Sequence, residues 1–170
     1  MKASQTLTDN LQAILVDLIE LHLQGKQAHW NLVGKNFRDL HLQLDEIVEA
    51  ARLFADEIAE RMRALFAAPD GRTSTVGAST TLEPLPAGLV DTKDVVDLVV
   101  ARLEATVKTI REVHDQVEEE DPTTADILHD VIAKLEQFAW MVGAENTSAS
   151  QQVTTPSAGT KSSSKGSGTK

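Results

Sequence analysis

Apolar residues recur every three or four positions along four long stretches of the chain, which is the spacing of an amphipathic helix. We place these helices at residues 5–33, 37–67, 92–119 and 122–146. No stretch shows the alternation of apolar and polar residues that a strand would need. The second stripe is the most regular and consists of Phe37, Leu40, Leu44, Ile47, Ala51, Phe54, Ile58, Met62 and Leu65. A four-helix bundle is the natural way to bury four such stripes, so we predict an all-α protein.

The connections between the predicted helices indicate how the bundle is arranged. The break around Gly34 is short, which makes the first two helices antiparallel neighbours. The connection from 68 to 91 is rich in Pro, Gly, Ser and Thr, and a short helix near 74–79 fits within it. It is long enough to cross the bundle between the second and third helices, as in ferritin-like folds. Asp121 and Pro122 predict the start of the last helix, as N-cap acceptor and first-turn proline.

Composition divides the chain into a folded body, residues 1–145, and a tail, residues 146–170. Apolar residues make up 41% of the 170 positions, enough for one core of ordinary size. The tail is mostly Ser, Gly, Thr and Lys and has too few apolar residues for a core, so we expect it to be disordered. The chain lacks a membrane-length apolar segment and a signal-peptide core, so we expect a cytoplasmic protein that does not bind membranes.

Charge limits the partners of the body. The formal net charge is −10, yet the tail contributes Lys161, Lys165 and Lys170 and no acid. The body therefore has 13 basic residues against 26 acidic ones. This balance argues against binding of nucleic acid or anionic membrane by the body. Weak DNA binding by the tail lysines, multiplied by oligomerisation, remains an alternative.

Metal chemistry in this chain has to rely on His, Asp and Glu, because there are no cysteines. Oxygen-rich ligand sets of this kind suit iron or manganese. His41 and Asp45 are four residues apart, as are Asp56 and Glu60, so each pair projects from one face of the second helix. The two pairs are nearly in phase, but they are separated by about 16 Å along the helix axis. Since metal–ligand bonds are about 2 Å long, one helix cannot bring both pairs to one ion.

A second copy of this helix could bring the two kinds of pair together. If it packed antiparallel across a two-fold axis, His41 and Asp45 of one chain would meet Asp56 and Glu60 of the other, giving two sites per dimer. His29, at the end of the first helix, can reach the same place because the short turn folds back there. Spacing alone leaves a second interpretation open. With 26 acidic residues, same-face pairs also arise by chance and simply face water.

The sequence KQAHWNLVGKNFRDLHLQLDEI, followed by Asp56 to Arg61, closely resembles the signature of the Dps family of miniferritins. TADIL at 124–128 and Trp140 resemble the last helix of the family, so the resemblance covers roughly residues 10–145. It implies a ferritin-like bundle, assembled from two-fold dimers into a hollow homo-oligomer of twelve chains. It also implies a di-iron ferroxidase centre at the dimer interface, with His29, His41 and Asp45 from one chain and Asp56 and Glu60 from its partner. Such a centre oxidises Fe(II) to Fe(III), preferentially with hydrogen peroxide, and the ferric product is stored as mineral.

The resemblance also assigns the start of the last helix to a three-fold pore through which iron passes. Asp121, Asp126 and Asp130 are the candidates, and an ordinary solvated helix junction is the alternative for each. The family places a tryptophan beside the ferroxidase centre, which suggests Trp30, although packing at an interface would equally explain it. For Trp140, core or interface packing is the favoured interpretation.

Three other functions compete with this one. Larger ferritins and bacterioferritins hold their di-iron ligands within one chain through Glu-x-x-His motifs, and this sequence contains none. A nucleoid protein that acts mainly by binding DNA would depend on the tail lysines. A purely structural bundle leaves the register of the five predicted ligands unexplained. His22, His114 and His129 match no ligand position of the family, and a buried, hydrogen-bonded role is favoured for His22.

Overall fold

The computed structural model describes residues 1–150 and 153–154. Four long helices form the predicted bundle, and a short helix lies in the connection between the second and third of them. The elements in chain order are α1 (Gln5–Asn31), β1 (Leu32–Val33), α2 (Phe37–Ala64), α3 (Thr73–Ser79), β2 (Val90–Asp91), α4 (Thr92–Glu120), α5 (Pro122–Gly143) and a final 3₁₀ turn (Ala144–Asn146). The tail lysines and most of the predicted disordered tail lie outside the described residues. Within the described part, no helix is long and apolar enough to cross a membrane.

Two short strands show how the long helices are oriented. β1 and β2 pair in parallel, with Leu32 opposite Val90. Three residues separate β1 from α2, and β2 directly precedes α4, so α2 and α4 start at the same end of the bundle. The predicted crossover is therefore confirmed, and α2 and α4 are parallel. The predicted first helix extends through residue 33, whereas the structure has β1 there, because two residues are too few to show the alternation of a strand.

The helix ends differ from the predictions at two places. α2 ends at Ala64 because Phe66 adopts a left-handed conformation with a φ of 62°, and the backbone N–H of Ala67 then donates to the carbonyl of Met62 at 2.9 Å. Asp121 precedes Pro122 as predicted, but its side chain does not cap α5. Its backbone carbonyl accepts from the N–H of Thr124 at 2.9 Å, while its carboxylate is bound elsewhere.

The stripe of α2 packs into the core from Leu40 onward, with Phe54 only partly buried. Phe37 is the first residue of the predicted stripe. The prediction that it belongs to the core is wrong, because 44% of the residue is exposed. Its ring instead stacks on the imidazole of His41, with 5.1 Å between ring centroids. Periodicity could not reveal this, because Phe37 is in phase with the stripe but lies beyond the end of the core.

A buried carboxylate fastens the crossover connection to the bundle. Asp17 of α1 is fully buried. Its carboxylate accepts hydrogen bonds from the Thr80 hydroxyl at 2.9 Å, and from the backbone N–H and hydroxyl of Thr81 at 2.8 and 2.7 Å. The hydroxyl of Thr109, on α4, donates to it at 2.7 Å. Asp17 therefore joins α1, the connection after α3, and α4 at one point.

Candidate metal centre

Two histidines meet where the link between α1 and α2 folds back on itself. His29 lies in the last turn of α1 and His41 near the start of α2. Their rings stack with 3.6 Å between centroids and 21° between planes. Each ring is also bonded to the other residue's backbone: His29 Nδ1 lies 2.9 Å from the His41 carbonyl oxygen, and His41 Nδ1 lies 3.0 Å from that of His29.

These reciprocal hydrogen bonds determine which nitrogen of each ring is free. A carbonyl oxygen can only accept, so each Nδ1 must carry the proton and donate. In a neutral imidazole the other nitrogen, Nε2, then keeps its lone pair. Histidine ligands in metal sites are commonly oriented in this way, with one ring N–H on a backbone carbonyl and the other nitrogen on the metal. Nε2 of His29 and Nε2 of His41 thus each keep a lone pair that could bind a metal ion.

Asp45, one turn after His41 on α2, completes this cluster. Its carboxylate lies 3.3 Å from His29 Nδ1 and accepts a hydrogen bond from the Lys26 ammonium. That hydrogen bond is the main cause that holds the pKa of Asp45 below its usual value. Lys26 was not among the predicted site residues, although it lies in the KQAHW motif. Its ammonium places a positive charge beside the Asp45 carboxylate.

Asp56 and Glu60 form a separate, exposed pair further along α2. Among the described residues, no three His, Asp or Glu side chains converge closely enough to hold one metal ion. The chain therefore carries two partial ligand sets, one with His29, His41 and Asp45 and one with Asp56 and Glu60. This is the arrangement that a site shared between two chains requires, and the assignment of these five ligands stays a prediction.

Exposed apolar side chains lie on the same two helices as the partial ligand sets. Leu42 and Leu53 of α2 are 45% and 60% exposed, and Leu23 and Trp30 of α1 are 45% and 67% exposed. Leu42 and Leu53 are eleven residues apart, and Leu23 and Trp30 are seven apart, so each pair lies on one face of its helix. Exposed apolar groups on one face are typical of an interface with another chain. The exposure of Trp30 agrees with the interface interpretation of this residue.

His22 lies near the second partial set. It lines an open cavity of about 300 Å³ together with Arg52 and Asp56. Its Nδ1 atom is buried and has no hydrogen-bond partner among the described residues. The hydrogen bond expected for His22 is therefore not formed by this atom. Burial, followed by the charge of Arg52, lowers the pKa of His22. His22 is therefore a half-buried residue with one buried ring nitrogen, and the sequence pattern did not mark it as part of this region.

The three predicted pore residues do not share one environment. Asp121 is only 5% exposed and accepts hydrogen bonds from Arg61 of α2 at 2.6 Å and from the hydroxyl of Thr124. Burial alone would raise the pKa of Asp121, but the bonds from Thr124 and Arg61 hold it below its usual value. Asp121 thus links α2 to α5, because its carboxylate accepts hydrogen bonds from side chains of both helices. Asp126 and Asp130 are exposed on α5 and remain pore candidates.

Comparison with known proteins identifies the family. The family described as "Ferritin-like domain" matches residues 8–149. The "DNA protection during starvation protein" of Mycolicibacterium smegmatis is 32% identical over 157 residues, which cover 90% of this chain and 84% of that protein. This chain belongs to the Dps family of ferritin-like proteins. It is also 37% identical over 134 residues to "DNA protection during starvation protein 2" of Deinococcus radiodurans. That match covers 79% of this chain but only 56% of the Deinococcus Dps protein, about half of its length.

Solved Dps structures share the fold. The crystal structure of Dps92 from Deinococcus radiodurans superimposes with a TM-score of 0.80 at 35% identity, covering 82% of this chain and 85% of that one. The Dps protein of Vibrio cholerae O1 superimposes with a TM-score of 0.78 at 25% identity, over 84% of this chain and 90% of that one. The Vibrio protein is described as a member of a broad superfamily of ferritin-like diiron-carboxylate proteins.

Proposed function

We propose that this Dps protein is a ferroxidase whose di-iron centres form between two chains. His29, His41 and Asp45 of one chain would bind Fe(II) together with Asp56 and Glu60 of its partner. The observation that carries this proposal is the reciprocal pair of backbone hydrogen bonds, which leaves Nε2 of both histidines free for a metal. The exposed apolar residues on α1 and α2 support burial of the same surface in a dimer.

The ligand set suits iron that arrives as Fe(II) and leaves as Fe(III). Two Fe(II) ions give up one electron each, so one hydrogen peroxide and two protons yield two water molecules. A two-electron reduction of this kind limits release of hydroxyl radical and would protect DNA from oxidative damage. Carboxylates and imidazoles are suitable ligands for iron, and the ferric product would then move on to a mineral store. We propose a hollow shell of twelve chains as that store.

Iron would reach the interior through three-fold pores lined by the start of α5. Rings of carboxylates concentrate divalent cations electrostatically. Asp126 and Asp130 are exposed there and are suited to this role. Asp121 is left out of the pore proposal because Arg61 and Thr124 already bind its carboxylate. DNA binding by the tail lysines and a cytoplasmic location stay predictions from the sequence.

The His41→Ala variant tests the ferroxidase proposal. The protein is loaded with Fe(II) without oxygen, peroxide is added, and Fe(III) formation and hydroxyl-radical adducts are followed together. We expect the oxidation rate to fall by at least about tenfold and radical adducts to rise, because one iron ligand is missing. Gln43→Ala is the control, since Gln43 lies about 160° around α2 from His41. A wild-type rate and radical yield in His41→Ala would contradict the proposal.

A further inference from the structure

A second histidine pair joins the other two long helices. His114 of α4 and His129 of α5 face each other with only 2.8 Å between their Nε2 atoms. Their ring centroids are 4.6 Å apart and the ring planes are tilted by 37°. Neither residue belongs to the proposed ferroxidase centre, which is built on α1 and α2.

The surroundings of the two rings favour placing a cation between them. His114 Nδ1 lies 3.5 Å from the carboxylate of Asp115, and His129 Nδ1 lies 3.9 Å from that of Asp126. Neither carboxylate is hydrogen-bonded to its ring, but the negative charge of both favours a cation on the two rings. The 2.8 Å between the Nε2 atoms is a hydrogen-bond length, with one Nε2 donating its proton to the lone pair of the other. A metal ion bound by both Nε2 atoms would take the place of that proton.

We propose that His114 and His129 bind a divalent transition metal ion, with Cu²⁺ and Zn²⁺ as the best-suited ions. A metal–nitrogen bond is about 2.0–2.1 Å long, so two neighbouring ligand nitrogens lie about 2.8–3.4 Å apart for bond angles between square-planar and tetrahedral values. The observed 2.8 Å lies at the lower end of this range. Imidazole suits Zn²⁺ and Cu²⁺, and Cu²⁺ binds nitrogen ligands more tightly than Fe²⁺ does. The site therefore differs from the iron centre in its preferred metal.

The helix packing holds the two ligands in place and leaves the site open. The His114 side chain is 19% exposed and that of His129 is 58% exposed, so the metal is reachable from solvent. Further along the same contact between α4 and α5, Arg111 and Glu136 form an ion pair at 2.6 Å. No third His, Asp or Glu converges on the pair among the described residues. Water would fill the remaining positions, which suits an exchangeable ion.

Electron paramagnetic resonance of bound Cu²⁺ tests this site. The measurement uses full-length protein with His29→Ala and His41→Ala, so that the proposed iron centre cannot supply imidazole nitrogens. One Cu²⁺ per chain should give a spectrum with coupling to two nitrogens. His114→Gln or His129→Gln in this background should remove that coupling and weaken Cu²⁺ binding by at least about tenfold. His22→Gln is the matched control, because His22 is the remaining histidine of the chain, and it should change neither result.

Three results would overturn the proposal. The first is a two-nitrogen spectrum that persists in His114→Gln or His129→Gln, and the second is loss of that spectrum in His22→Gln. The third is the absence of two-nitrogen coupling from the parent protein at one Cu²⁺ per chain, which would mean that the rings share a proton instead. Size-exclusion chromatography and circular dichroism on each variant establish that it is folded. Because no readout involves iron oxidation, the result is independent of the ferroxidase proposal.

Discussion

Replacing Asp56 by Ala should lower the rate of peroxide-driven Fe(II) oxidation by at least about tenfold. Within one chain this residue lies about 16 Å along α2 from Asp45, too far to share a metal ion with it. The effect is expected because the Asp56 carboxylate would complete the site that His29 and His41 form in the partner chain. Its loss removes both an oxygen ligand and a negative charge that stabilises the bound cations.

Glu57→Ala is the matched control for this prediction. Glu57 is also exposed and acidic, and it follows Asp56 directly, but it points about 100° away around the helix. Stopped-flow measurement of Fe(III) formation, with both variants at the same subunit concentration, provides the comparison. We expect Glu57→Ala to keep nearly the wild-type rate. Equal rates in the two variants would show that the loss of any surface acid on α2 has the same effect, and that Asp56 is not a ligand.

Replacing Asp17 by Ala should lower the free energy of unfolding by about 3–5 kcal/mol, the largest stability effect that we expect from one substitution. Its carboxylate is fully buried and accepts four hydrogen bonds from Thr80, Thr81 and Thr109. Alanine would remove the acceptor of all four hydrogen bonds, including the one from the buried hydroxyl of Thr109. Asp17→Asn should be milder, because the amide keeps one oxygen and the threonine hydroxyls can rotate to accept from its NH₂ group.

Denaturant unfolding at a fixed subunit concentration measures this effect, since assembly itself adds to the apparent stability. Asp9→Ala is the control on the same helix. Asp9 is exposed and accepts one hydrogen bond, from the Gln5 side chain at 2.8 Å, so we expect a change within about 0.5 kcal/mol. We expect Asp17→Ala to be the most destabilised variant, Asp17→Asn to be less destabilised, and Asp9→Ala to be the least. Similar values for Asp17→Ala and Asp9→Ala would contradict a structural role for the buried network.

The sequence was sufficient to predict the bundle and the crossover, because these depend on apolar periodicity and on the length of connections. It allowed the short helix in the crossover without requiring it, because TSTVGAS has no apolar stripe. It was not sufficient where a residue's partner lies on another element. Phe37 fits the periodicity of the core yet stacks on His41 at the surface. Asp121 has the position of an N-cap, but the proximity of Arg61 on α2 redirects its carboxylate.

The same limit on prediction from the sequence applies to the candidate centre. Helix spacing and the family resemblance select His29, His41 and Asp45 as candidate ligands. The structure stacks the two rings and places the Asp45 carboxylate 3.3 Å from His29 Nδ1, and the role of the three as ligands stays a prediction. The hydrogen bonds that orient both rings and the contact of Lys26 with Asp45 depend on the fold of the α1–α2 link. No spacing rule reports on the direction of a ring nitrogen. The contact between His114 and His129 could likewise not be predicted from the sequence, since only the packing of α4 on α5 brings the two residues together.

Mixed assemblies of His41→Ala and Asp56→Ala chains test most directly whether each centre is shared between two chains. Each variant alone contains no complete site. In a random equal mixture about half of the dimers are mixed, and each mixed dimer regains one complete site of its two, so about a quarter of all sites are restored. We therefore predict that the mixed assembly oxidises Fe(II) with peroxide at about a quarter of the wild-type rate. A rate no higher than that of the separate variants, in assemblies shown to contain both chains, would contradict a shared centre.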